Sequence, residues 1–193
     1  MIAYLKGDFV YKSPAMVQVE VNGVGYEVQI SVHTFSKIQA LEKGILYTSL
    51  LIREDAHLLF GFFDLAEKEM FHHLLSVSGI GASTARVMLS YLKPAELSRA
   101  ILEGDSRTLE SIKGIGKKTA ERLVLELRDK MAKQPVEINI SPMKNNTLQQ
   151  DALNALIALG ISRPAAGQAL DKAMAVNPNL SVEELIKTAL RTL

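Results

Sequence analysis

Apolar and polar residues alternate with period two through Met16–Val21 and again through Tyr26–Ile30. This is the pattern of strands that bury one face. Asn22-Gly23 stands between them and predicts a two-residue hairpin turn. Further strands are predicted over Ile2–Tyr11, Ile45–Ile52 and His57–Phe63, with a short helix over Thr34–Ala40. The last two strands meet at Arg53-Glu54-Asp55-Ala56. Five short strands within residues 1–63 suggest a small Greek-key barrel of the OB type.

The period changes at Asp64. Asp64-x-x-Glu67 resembles a capping box, and helices are predicted over 65–77, 82–92, 95–103, 106–112 and 117–131. Pro94 fits a first helical turn and Gly104 a helix C-terminus. In the last of these helices Ala120, Leu123, Val124, Leu127 and Met131 form one apolar stripe. Residues 132–146 lose the pattern, and Pro135, Pro142 and Asn145-Asn146 predict a flexible linker. Residues 147–193 regain it as a three-helix module. Thr147-x-x-Gln150 and Ser181-x-x-Glu184 are its capping boxes. Leu153, Leu156, Ile157, Leu170, Met174, Leu185, Ile186 and Leu190 are its predicted core. The fold class is therefore α+β: a barrel, a central helical domain over 64–131, and a small helical module of the kind that often serves for docking.

Within the central domain the chain repeats itself. Val77-Ser78-Gly79-Ile80-Gly81-Ala82-Ser83-Thr84-Ala85 returns 35 residues later as Ile112-Lys113-Gly114-Ile115-Gly116-Lys117-Lys118-Thr119-Ala120. Each copy is a tight glycine turn opening into a helix. Such a turn leaves backbone N–H groups pointing outward at the positive end of the helix, a site suited to a phosphate oxygen. Glycine also lets another backbone come close. A site of this kind grips phosphates and reads no bases. Two other glycine-loop readings fail. A dinucleotide fingerprint has Gly or Ala where Thr84 and Thr119 stand, and a P-loop has Gly where Ser111 stands and Ser or Thr where Lys118 stands.

Charge sharpens this placement. The net formal charge is only +1, but residues 65–133 carry 12 basic and 9 acidic side chains against 5 and 7 in residues 1–64. The basic excess sits with the glycine turns. The chain has no cysteine, which excludes disulfides and thiolate chemistry and fits a reducing cytoplasm. No apolar run is long enough to span a bilayer, so no membrane role is expected.

No catalytic constellation stands out. His72 and His73 are adjacent on a helix and point in different directions, so they do not share a metal. His33 and His57 have no partner at ligand spacing. Glu54-Asp55 reads by itself as an ordinary solvated turn.

These residues together resemble the RuvA family, the Holliday-junction-binding subunits of bacterial branch-migration complexes. The similarity runs through Met1-Ile2-Ala3-Tyr4-Leu5-Lys6-Gly7, Asn22-Gly23-Val24-Gly25-Tyr26-Glu27-Val28 and Arg53-Glu54-Asp55-Ala56-His57-Leu58-Leu59-Phe60-Gly61-Phe62. It is strongest at Gly114-Ile115-Gly116-Lys117-Lys118-Thr119-Ala120-Glu121-Arg122-Leu123. The resemblance implies a bacterial cytoplasmic homotetramer that binds four-way junction DNA and holds it open, with one or two tetramers on the junction. It implies a DNA-contacting set of Ser78, Gly79, Ile80, Gly81, Ser83, Lys113, Gly114, Ile115, Gly116, Lys117, Lys118 and Thr119. Glu54 and Asp55 become an acidic pin at the crossover. The last module would dock the hexameric ATPase RuvB, and the resolvase RuvC would act on the same junction. No cofactor or metal is expected in this chain, since ATP and Mg belong to the partner ATPase. One departure is that the first turn is followed by Ala82-Ser83-Thr84, without lysine. The alternative from another class is a structure-specific nuclease subunit, which would need clustered carboxylates for metal ions. A weaker one is a single-strand binder with aromatic residues exposed on the barrel face.

Overall fold

A computed structural model describes residues 1–133, 148–177 and 180–192. The chain divides into two compact units, Met1–Ile138 and Asn139–Leu193, so the predicted linker over 132–146 falls almost wholly outside the described residues.

In the first unit, strands β1 (Tyr4–Ser13), β2 (Met16–Val21), β3 (Val24–Ile30), β4 (Lys43–Ile52) and β5 (His57–Phe62) close a barrel in the order β1-β2-β3-β5-β4. All pairs are antiparallel except β3 with β5. Asn22 and Gly23 both have positive φ, 51° and 83°, as a type I′ hairpin requires. Alternation along the strands sends Leu5, Phe9, Val17, Val19, Val28, Ile30, Leu46 and Leu59 inward. Helix α1 (Val32–Ile38) adds Ile38 to that core; it begins two residues before the predicted helix because Ser31 caps it by accepting from Thr34 N–H.

Five helices follow: α2 (Leu65–Leu75), α3 (Ala82–Tyr91), α4 (Pro94–Glu103), α5 (Ser106–Glu110) and α6 (Lys117–Lys133). Their core is not separate from the barrel. Phe60 and Phe62 of β5 point into it and stack on Phe71 of α2, with ring centroids 5.1 and 4.9 Å away. This answers the single-strand reading in part, since Phe60 and Phe62 are core residues rather than an exposed stacking platform.

The predicted capping box at Asp64 is only half formed. Asp64 accepts from Glu67 N–H at 2.8 Å, but the Glu67 side chain accepts no reciprocal bond from Asp64 N–H. It is fully buried, against α1. The local motif is the same either way, and the hydroxyl donors of α1 and its cap win the side chain.

The second unit contains α7 (Leu148–Ala158), α8 (Arg163–Val176) and α9 (Val182–Thr192). Ser181 and Glu184 form the expected capping box; Thr147 lies outside the described residues. Of the predicted core, Leu156, Leu170 and Leu185 are buried, and Leu153, Met174 and Ile186 pack at the margin. Ile157 and Leu190 are exposed instead. Ala152, Ala166, Ala169, Ala173 and Ala189 take the interior. Small side chains let helix backbones approach closely, and the larger residues are then displaced to the edge.

Candidate nucleic-acid interface

The two glycine turns fold alike. Turn one links α2 to α3 and turn two links α5 to α6. Gly79 and Gly114 have φ of +90° and +93°, a conformation open to glycine at little steric cost. After each of them an isoleucine N–H closes the turn: Ile80 donates to Val77 O at 3.1 Å and Ile115 to Ile112 O at 3.0 Å. Both isoleucine side chains are buried, at 6% and 5% exposure. Ile80 and Ile115, expected in the DNA-contacting set, thus spend both side chain and N–H on holding the turn. Buried residues also match at the 35-residue offset: Leu74 with Leu109, Val77 with Ile112, Ala85 with Ala120 and Met88 with Leu123.

Gly81 and Gly116 have no comparable internal reason to be glycine. Gly81 has φ −90° and ψ 169°, extended backbone that any residue adopts. A Cβ added at either position meets no protein atom within 4 Å. What glycine keeps free there is outside space, next to the first turn of α3 or α6. Gly81 has no side chain to cap α3, and Ala85 N–H is the one that reaches back to Gly81 O, at 2.9 Å. The N–H groups of Ala82, Ser83 and Thr84 precede it at the helix start, where helical partners are lacking. In turn two both Thr119 and Ala120 N–H donate to Gly116 O. The amide of Thr119 is therefore engaged, and those left without helical partners at the start of α6 are the amides of Lys117 and Lys118.

Ser78, Ser83, Lys113, Lys117 and Lys118 are all exposed. The turns are also held beside each other. Arg122, in the second turn of α6, donates to Ser78 O at 3.3 Å, and Lys130 Nζ donates to Ser76 Oγ at 3.2 Å. Sequence reasoning missed both residues. Arg122 stands in the stretch most similar to the family and Lys130 on the polar face of α6, but neither signal names a partner, and both partners lie more than 40 residues away. The arrangement sets two helix N-termini and their open glycine backbones beside each other, with three exposed lysines on the second, a chemistry suited to anions.

Glu54 and Asp55 lie elsewhere, at the exposed tip between β4 and β5, closed by Arg53 N–H donating to Ala56 O at 2.8 Å. His72 and His73 stay on α2, where burial lowers the His72 pKa from its ordinary value. Among the described residues no three His, Cys, Asp or Glu side chains are grouped to hold a metal ion. Among them, too, no helix is long and apolar enough to cross a membrane.

A barrel carrying tandem helix–hairpin–helix units defines a class of nucleic-acid-binding protein. Comparison with known families narrows it. Residues 1–61 match the RuvA N-terminal domain, residues 71–129 the SAM-like helix-hairpin-helix tandem, and residues 147–193 the RuvA C-terminal domain. The chain is 47% identical to a protein of Cytophaga hutchinsonii over 99% of both chains, and 45% identical to one of Christiangramia forsetii over the full length of both. A protein of Flavobacterium psychrophilum is 45% identical over the same extent. Each of the three is named Holliday junction branch migration complex subunit RuvA. The chain belongs to the RuvA family.

Proposed function

We propose that this chain is the non-catalytic, junction-binding subunit of a branch-migration complex. It binds four-way Holliday junction DNA as a homotetramer and recruits the RuvB ATPase, in recombination and repair. One observation carries the reading most directly: two hairpins of matching geometry lie side by side, both with open amides and the second with three lysines, on a frame built into a barrel. Ser78, Gly79, Gly81, Ser83, Lys113, Gly114, Gly116, Lys117, Lys118 and Thr119 would receive phosphates, so affinity would be independent of sequence. Specificity would come from shape, four duplex arms matching four protomers. Glu54 and Asp55 would stand as a pin near the crossover. The 147–193 module would dock RuvB, ATP hydrolysis would belong to that partner, and RuvC would act on the same junction. The setting is the bacterial cytoplasm.

The deciding experiment compares a four-way junction with linear duplex in gel-shift titrations, with the mass of the complex from light scattering. Preference for the junction and a mass of four or eight protomers are expected. Equal affinity for both DNAs would overturn the reading. Divalent-metal-dependent cleavage of the junction would favour the nuclease alternative. A chain ending near Lys144 is expected to bind junctions but to fail in RuvB-driven migration.

A further inference from the structure

The joint between barrel and hairpins contains a buried polar knot. Glu67 is 0% exposed. Ser31 Oγ donates to its Oε1, and Thr34 Oγ1 donates to its Oε2 at 2.5 Å. Each hydroxyl is itself an acceptor: Ser31 Oγ accepts from Thr34 N–H and Thr34 Oγ1 from Phe63 N–H, both at 3.0 Å. A hydroxyl has one proton to give, and both protons here are directed at the Glu67 carboxylate. The network is therefore directional. It ties the start of α1 to Phe63, just after β5, and to α2, which leads into the first glycine turn. Two further bonds clasp α3 to α1 and to the β1–β2 turn: Val32 N–H donates to Ser90 Oγ and Arg86 to Ala15 O, each at 3.0 Å.

No ion pair compensates Glu67 among the described residues. A buried carboxylate without a cation is unfavourable compared with a well-packed apolar side chain. What it supplies is a fixed geometry between three segments. We infer that Glu67 is a positioning residue whose carboxylate sets the angle at which the hairpins are carried on the barrel. On the proposed function, that angle governs preference for a four-way junction over a linear duplex. Gripping one duplex needs only the hairpins and their phosphates. Gripping four arms at once needs every protomer to hold its hairpins at the same angle, so a loosened joint is felt four times.

The test uses the full chain, which has no cysteine of its own. Spin labels attached through Glu27→Cys on β3 and Arg107→Cys on α5 report the barrel-to-hairpin distance distribution without DNA. Glu67→Ala is expected to broaden or shift that distribution. Linear-duplex affinity should stay within about twofold, while junction affinity should fall about tenfold or more, because simultaneous engagement is lost when geometry loosens. Thr34→Val removes one of the two donors at nearly constant volume and should give a smaller change of the same kind; it decides the matter if Glu67→Ala does not fold. An unchanged distance distribution with unchanged junction preference, in whichever variant folds, overturns the inference. The distance measurement judges Glu67 by itself. A wild-type chain without junction preference would instead count against the proposed function.

Discussion

The two hairpins share a backbone and a pattern of buried residues, and differ in what they present outward and in the helices that lead into them. At the 35-residue offset Ser78, Ala82 and Ser83 of the first stand where Lys113, Lys117 and Lys118 stand in the second. Ala82 is buried at 2% exposure, while Lys117 faces solvent. The leading helices differ as well. Helix α2 has 11 residues and carries Phe71 into the aromatic contact with the barrel; α5 has 5, and its Ser106 occupies the position matching Phe71. So the first hairpin is seated and the second is charged. On the proposed function, the duplicated motif has divided two tasks, location of the site and attraction of its ligand. Arg122 and Lys130 then lean the charged copy on the seated one.

The largest effect is expected where the seat is removed. Phe71 is fully buried against Phe60 and Phe62, and truncating a core phenylalanine costs about 3–5 kcal/mol. Phe71→Ala should lower unfolding stability by that order in denaturant titrations. Ser106→Ala, at the matching, half-buried position, removes only a hydroxyl and should cost no more than about 1 kcal/mol. Similar losses at both would dissolve the distinction between the copies.

The charged role is tested by Lys117→Glu with Lys118→Glu. Binding should weaken alike on every DNA sequence, and the dependence of log affinity on log salt should flatten by about one unit for each phosphate no longer held. Ser83→Glu, at the position matching Lys118, reverses no existing charge and should have a smaller effect. Unchanged affinity in the folded double-lysine variant would remove the second hairpin from the interface.

The glycines sharpen the shared part. Gly116→Ala and Gly81→Ala add a Cβ into open space without disturbing the fold, so thermal unfolding should hardly move while DNA affinity falls. Gly114→Val mixes two effects, because its φ of +93° is strained for any L side chain. If Gly81→Ala binds DNA like wild type and Gly116→Ala does not, the first hairpin is a seat and nothing more.

The acidic tip should modulate rather than supply binding. Glu54 and Asp55 are exposed at the β4–β5 turn, and carboxylates near phosphates repel in a manner that salt weakens. Replacing both with Ala should raise DNA affinity at low salt and relax junction preference, with stability unchanged. A double-Ala variant identical to wild type at low salt would make them ordinary turn residues.

Much of this was legible in the sequence for a physical reason: alternation and glycine turns act over a few residues. Asn22-Gly23 specifies its turn locally, and the register between Gly79 and Gly114 exposes the duplication without any tertiary information. The misreadings arise where distant partners decide. Asp64-x-x-Glu67 looks like a reciprocal cap, but nothing near it in the chain announces that Ser31 and Thr34 will claim the carboxylate. Ile80 and Ile115 group with their glycine neighbours in the DNA-contacting set, and only the fold shows that the turn carries their side chains inward. The alanine interior of the second unit stayed hidden because a pattern of large apolar residues marks a face, not its depth.

The smallest predicted effect sets the two supporting acids against each other. Burial pushes the Glu67 carboxyl above its ordinary value, against the pull of the Ser31 and Thr34 hydroxyls. Asp105, which caps α5 beneath the second hairpin, is held below its ordinary value by the Thr108 side chain and N–H. The signs therefore oppose. Between its unfolded value and its raised native one, Glu67 binds more protons folded than unfolded, so its contribution to stability is full below that window and declines as pH rises through it. Asp105 behaves the other way: its contribution is full above its unfolded value and is lost as pH falls through the lowered one. A single group can impose a slope of no more than about 1.4 kcal/mol per pH unit, so the comparison needs variants. Glu67→Gln should make the stability–pH curve rise more, or fall less, across the window above the usual carboxylate range, while Asp105→Asn should flatten the rise at lower pH. If Glu67→Gln leaves the upper window untouched, the buried carboxyl is not the group that titrates there, and the seat of the first hairpin carries no ionisation of its own.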